Sequence, residues 1–281
     1  MTLTTSQQTT AAAAVPGRRH ARRPGARRAA LLGTAGIIGF LLLWEAVCRL
    51  GLVDPRFLPP ASEVLVQLGR DLLDLAFWRS VSATMTSWAI GLAIAVVAGS
   101  VLGFLIGSSR FLERATRSTI EFLRPIPSVA LIPLAVLLFG TKIQSSLLLI
   151  VYAAFWQVLL QVIYGTQDVD PVADATARSY GLRRLSRIRH VVWPTTLPYL
   201  MTGVRLAATV ALILAITSEL IIGTPGLGKQ IALAQSGGAV VEMYALVVAT
   251  GLIGVAINLL ARLVERRALA WHTSVRSELE A

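Results

Sequence analysis

Glu219 lies near the end of a long apolar run, and an ionisable side chain in such a place is a functional candidate by default. Its position near the outer end of the run predicts a shallow depth and a solvated or structural role, with a place on a solute pathway as the alternative. Pro125, Pro127 and Pro133 interrupt another apolar segment. Each removes a backbone hydrogen bond, which lipid tolerates only where protein or a cavity satisfies the freed group, so the three prolines join Glu219 as pathway candidates. Glu121 and Arg124 are three positions apart and could pair on one helix face as an anchor. Lys142 and Lys229 are isolated cations that could attract an anionic solute or an acidic surface. Enzymatic chemistry finds little footing. His20, His190 and His272 are far apart, no spacing suits a metal, and no nucleophile–base pattern is visible. No G-x-x-x-x-G-K-[ST] phosphate loop occurs, so this chain is expected to bind no cofactor, and any ATP and magnesium belong to a partner.

The most informative segment is the polar stretch 165–196. Asp170 is a good N-cap and Pro171 suits the first helical position, so a helix is expected over 171–180. Gly181 fits the left-handed residue that ends a helix. A second helix is expected over 182–193, stopping at Pro194. Its apolar residues Leu182, Leu185, Ile188, Val191 and Val192 recur at helical spacing, with Arg183, Arg184, Arg187 and Arg189 between them. An amphipathic basic helix lies on a membrane surface or fills a groove in a partner.

These residues are held by apolar elements. Of the 281 residues, 55% are hydrophobic and 15% charged, against about 25% charged in a soluble domain. A bilayer span needs about 20 mostly apolar residues, and six segments qualify: 29–47, 80–107, 120–139, 143–164, 197–222 and 243–264. The chain therefore reads as an all-α integral membrane protein with six transmembrane helices. Its body is residues 29–265, between a basic tail (1–28) and a C-terminal tail (266–281). The polar stretch after the first span, with Leu58-Pro59-Pro60-Ala61-Ser62, reads as a turn into a short helix.

Net charge is +11, but its placement argues against nucleic-acid binding. Arg49, Arg56, Arg70, Arg79, Lys142 and Lys229 fall on one side of the expected topology. All other cations except Arg205 fall on the side of the N-terminus, which puts both termini in the cytoplasm. Arg18, Arg19, Arg22, Arg23, Arg27 and Arg28 make the tail a ready contact for anionic lipid. Trp44, Trp78 and Trp271, near span ends, suit interfacial anchoring. Cys48, the single cysteine, is expected to pack in or near the first span. In the second span Gly91, Ala95, Gly99, Gly103 and Gly107 recur every four residues. They give one helix face almost no side chain, which suits close packing against another helix, static or sliding.

At this point the sequence resembles a known family. Ala175-Thr176-Ala177-Arg178-Ser179-Tyr180-Gly181, then nine residues, then Val191-Val192-Trp193-Pro194, resembles the EAA motif of ABC importer permeases, E-A-A-x3-G-x9-I-x-L-P. Gly181 and Pro194 match at the right distance. Ala175 stands where the motif has Glu, with Asp174 one residue earlier, and Trp193 replaces the usual Leu. Leu58-Pro59-Pro60-Ala61-Ser62-Glu63-Val64 and Arg124-Pro125-Ile126-Pro127-Ser128 are similar to the nitrate/sulfonate/taurine branch of these permeases. So are Gly203-Val204-Arg205-Leu206-Ala207, Ser218-Glu219-Leu220-Ile221 and Gly226-Leu227-Gly228.

The resemblance implies a type I ABC importer permease in the prokaryotic inner membrane. Two permease chains, here expected to be identical, would form the pathway for a small anion such as a sulfonate, taurine or nitrate. A cytoplasmic ATPase dimer would drive it and an extracytoplasmic binding protein would deliver the solute. The resemblance makes Asp174, Ala175, Ala177, Gly181, Leu185, Ile188, Val191 and Pro194 the loop that docks on the ATPase. Two other readings differ in what they require. A secondary transporter should carry ionisable groups at mid-membrane or repeated broken helices, and a membrane enzyme should carry a polar catalytic cluster. Spans two, four and six have no Asp, Glu, Lys or Arg at their centres.

Overall fold

The computed structural model describes residues 26–270, and side chains from residue 31 onward. The tail arginines before residue 26, Trp271 and the C-terminal tail beyond residue 270 lie outside the described residues. Within them every regular element is helical. Long apolar helices form because no water would be present to bond exposed backbone. Five are long and apolar enough to cross a membrane: α1 (Ala26–Arg49), α3 (Leu75–Gly107), α6 (Ile143–Gln167), the stretch ending in α9 (Trp193–Ile222), and α11 (Val240–Ala268). Between them lie α2 (Ala61–Asp71), α4 (Arg110–Leu123), α5 (Ile132–Phe139), α7 (Pro171–Ser179), α8 (Arg184–Arg187) and α10 (Leu227–Ser236). α1 starts inside the expected tail and α11 runs past residue 265, so both helices are longer than their apolar cores.

The third expected span departs most from its sequence reading. Of the two outcomes the prolines allow over 120–139, a kink or a break, the chain takes the break: it forms α4, a gap, a 3-10 turn over Ser128–Leu131 and the eight-residue α5, with an 80° bend between the two arms. Pro125 and Pro127 lie in the break, and each removes an amide that a continuous helix would need. A sixth crossing exists only if this bent pair is counted as one. α5 rises about 12 Å at 1.5 Å per residue, well short of a hydrocarbon core of about 30 Å. The break also decides the fate of Glu121. It pairs with Arg117, one turn earlier on α4 at 2.9 Å, rather than with Arg124, which caps the helix end.

α6 is the centre of the bundle. It packs between α3 and α9, burying Leu149, Ile150, Ala154, Val158 and Val162 against Ala95 of α3 and Ala207, Ala211 and Ala215 of α9. The contact with α3 is made by the small-residue face. A Cβ on Gly99 would lie 2.8 Å from Val158 Cβ, and one on Gly103 would lie 2.8 Å from the Leu159 carbonyl oxygen. At Gly107 it would overlap Thr166, and at Gly91 it would press on Ile150. A second cluster joins α2, α10 and α11 through Val64, Leu68, Leu227, Ile231, Ala245 and Leu246. α10 had no counterpart among the expected elements. α1 meets the rest near its C-terminal end, where the Trp44 indole donates to the Pro59 carbonyl at 3.0 Å and Cys48 is buried. Trp78 is half exposed and donates to the Leu72 carbonyl.

Candidate functional site

The loop between α6 and α9 is built as a rigid unit. Asp170 caps α7 by accepting the Val172 amide at 2.8 Å, and Pro171 occupies the first turn. α7 ends in a Schellman arrangement: the Leu182 amide donates to the Ala177 carbonyl and the Gly181 amide to the Arg178 carbonyl. That geometry needs a left-handed residue, and Gly181 supplies it with φ of 72°.

The second helix does not stop at Pro194. α8 passes through a π turn (Ile188–Val192) directly into α9, where Pro194 sits in the first turn. Pro194 has no N–H for the carbonyl four residues back, and the ladder widens just before it. The Thr195 and Thr196 hydroxyls bond the carbonyls of Val191 and Val192, both at 2.8 Å. Thr202 does the same for Pro198, the proline inside α9, at 3.1 Å. The second loop helix and the span are therefore one continuous rod.

Three polar contacts tie this loop together. Asp174 on α7 holds Arg178 at 2.6 Å and Arg187 of α8 at 2.7 Å, so one carboxylate joins both loop helices. The Arg178 hydrogen bond, with that of Arg187, holds the Asp174 carboxyl below its ordinary range against the opposing effect of partial burial. At the base, the Tyr199 hydroxyl of α9 donates to Asp168 at the end of α6 at 2.7 Å. Gly165 lets the two spans close up there, since a Cβ would meet Thr196 and Tyr199 at about 3.0 and 2.9 Å.

Of the residues read from the motif, Ala177 is buried under α7, Ile188, Val191 and Pro194 are half-buried along the rod, and Ala175 and Leu185 are exposed. At the apolar tip Leu185, read from the motif, is 79% exposed, and the motif did not point to its neighbours Val172, 71% exposed, and Tyr180, 83%. The partnership of Asp174 with Arg187 and that of Tyr199 with Asp168 were also invisible, because thirteen and thirty-one residues separate the partners.

Glu219 sits toward the other end of α9 and is buried, with 1% exposure, not solvated. Its carboxylate accepts from Thr84 Oγ1 of α3 at 2.9 Å and from the Gly228 amide of α10 at 3.0 Å. Thr84 in turn accepts the Leu227 amide at 2.9 Å. Gly226, with φ of 156°, lies directly against this carboxyl, where any side chain would overlap it. Thr224 bonds Ser146 of α6 at 2.9 Å, fixing the α9–α10 elbow to a second helix. The partners of Glu219 come from α3 and α10. Pro125, Pro127 and Pro133 are exposed along the broken segment and contribute none of them. Arg205 of α9 pairs with Glu265 of α11 at 3.0 Å.

A chain with these elements has known relatives. Residues 95–269 match the family model described as "Binding-protein-dependent transport system inner membrane component". The chain is 31% identical to the taurine transport system permease protein TauC of Escherichia coli (strain K12), covering 92% of this chain and 97% of that protein. It is 26% identical to the putative aliphatic sulfonates transport permease protein SsuC of Bacillus subtilis (strain 168), covering 90% and 92%. Among solved structures, a chain of the inward-facing MetNI methionine ABC transporter superposes with a TM-score of 0.60 at 19% identity, over 69% of this chain and 96% of that one. At that identity the likeness speaks for the fold, a type I importer permease. With its bundle, its rigid inter-span loop and these matches, the chain belongs to the family of binding-protein-dependent transport system inner membrane components.

Proposed function

We propose that the chain is one half of a permease that imports a small anion, with a sulfonate such as taurine as the first candidate. As a permease subunit of the ABC importer family, it works with an ATPase and a substrate-binding protein on other chains. Two identical copies form the pathway. The 165–196 loop is cytoplasmic and docks on the ATPase dimer, which holds the ATP and magnesium. Glu219 and its elbow face the binding protein's side.

The observation that carries this reading is the rod from α8 into α9, lashed to α7 by Asp174 and tipped with exposed Val172, Tyr180 and Leu185. A stiff loop joined to a span without a break transmits displacement, so closing of the ATPase dimer would move α6 and α9 together. The apolar tip suits a groove in a partner, and the arginines around it suit an acidic rim. The names of the relatives support the anion.

The test is uptake into proteoliposomes holding this chain, its ATPase and its binding protein. Taurine, a longer alkanesulfonate, nitrate and bicarbonate are offered separately. ATP-dependent accumulation of a sulfonate supports the assignment. Accumulation of none of the four anions, with ATP hydrolysis stimulated by a neutral or cationic solute instead, contradicts it.

A further inference from the structure

We propose that the groove between the α3–α4 turn and the 165–196 loop is a binding site for an oxyanion, a phosphate- or sulfonate-type group. The groove encloses about 750 Å³, in the range of small-molecule sites of roughly 300–1,000 Å³. Its walls come from parts of the chain distant in sequence. Arg110 opens α4, Arg178 belongs to α7, and Arg184 and Arg187 to α8. Four guanidiniums therefore face one cavity, with Asp174 and Glu113 as its only carboxylates.

Asp174 is already shared between Arg178 and Arg187. Among the described residues Arg110 and Arg184 hold no ion pair. The cavity thus keeps a surplus of positive charge on the residue type whose planar fork suits oxyanions in bidentate fashion. α4 also begins at this wall, capped by Ser109, and the first turn of a helix favours an anion. Thr166 and Gln167 at the end of α6 supply further hydrogen-bonding groups.

A ligand here touches Arg110 on one side and Arg184 or Arg187 on the other. It bridges the α3–α4 turn to the loop that the Proposed function assigns to ATPase docking, so its occupancy sets how freely that loop moves. The geometry of the site belongs to this chain alone and stands whether or not the ATPase assignment holds. A free cytosolic anion and a lipid headgroup offer the same chemistry.

The experiment uses the full-length chain in nanodiscs. In one arm the lipid is phosphatidylcholine, and inorganic phosphate or sulfate is titrated against chloride at matched ionic strength. In the other, phosphatidylglycerol replaces part of the lipid and no oxyanion is added. Melting temperature and binding of labelled sulfate are read for the wild type, Arg110→Gln and Arg184→Gln, and for Arg110→Lys and Arg184→Lys. Both arginines are exposed, so the single variants are expected to insert and fold. If one does not, the other carries the comparison.

Binding weakened about tenfold in each Gln variant, and partly restored by Lys, is the expected result. A response in the first arm identifies a soluble oxyanion, and a response only in the second identifies a headgroup. Both support the site. Wild type and Gln variants that respond equally in both arms, or a wild type that responds equally to chloride, overturn it.

Discussion

Glu219 shows how a single buried carboxylate can organise three helices. It takes one hydrogen bond from α3 and one from α10, and Thr84 links the same two elements a second time. Glu219→Ala should therefore lower thermal stability in detergent by about 1–3 kcal/mol for each donor left unsatisfied. Glu219→Gln, which keeps an acceptor oxygen, should cost less. Equal melting temperatures for wild type and the Ala variant would contradict the latch. The sequence marked Glu219 as exceptional and allowed it a structural role, but set it too close to solvent. Its partners Thr84 and Gly228 are ordinary residues whose significance comes only from the crossing of α3 and α10.

Asp174 offers a pH test at the same scale. Its carboxyl is held below the ordinary range chiefly by Arg178, with Arg187 adding to the effect. A depressed carboxylate contributes stability above its unfolded pKa and loses it as pH falls through the folded value. The α7–α8 connection should thus stay closed from neutral pH down through the usual carboxylate range and loosen only in stronger acid. Asp174→Asn should be loose at every pH. Hydrogen exchange of the loop amides, corrected for intrinsic rates, checks both; acid-insensitive protection in the wild type would contradict the role of the ion pairs.

At the scale of elements, the small face of α3 was legible because a four-residue period needs no knowledge of the partner. Its partner α6 was not, since Val158 and Leu159 are apolar like their neighbours. The corresponding face of α9, Gly203-Ala207-Ala211-Ala215, has the same period and could have been found by the same count. Gly103→Ala should cost about 1–3 kcal/mol through overpacking against the Leu159 backbone. Gly36→Ala, with open space around it on α1, should be neutral or stabilising by about 0.5–1 kcal/mol. Comparison of the two melting curves decides whether close approach or helix propensity governs these glycines.

The proline segment kinks or breaks as its residues predict, whereas the stop expected at Pro194 does not occur. Pro125 and Pro127 break a run that hydropathy makes continuous, each removing an amide that a continuous helix would need. Pro194 was read as a stop, yet the helix passes it. The amide bond that Pro194 forfeits is absorbed by a π turn, and two threonine hydroxyls bond carbonyls of that turn. The cap residues Asp170, Pro171 and Gly181 were legible because they act locally.

For the whole molecule, the proposed orientation, with the loop in the cytoplasm, rests on the uneven spread of arginine and lysine. With the buried Cys48 replaced by Ser, a cysteine at position 183 should react with a membrane-impermeant thiol reagent only in inverted vesicles. One at position 142 should react only in intact cells. The reverse pattern would contradict the orientation.

The central claim is that this loop is where the ATPase engages the permease. It is tested most directly by co-purifying the chain with its ATPase, as wild type and as Tyr180→Asp with Leu185→Asp, two exposed positions at the loop tip. The wild type should retain the ATPase stoichiometrically, and the variant should insert equally well but lose it. A variant that holds the ATPase as firmly as the wild type would show that the nucleotide-driven stroke enters elsewhere.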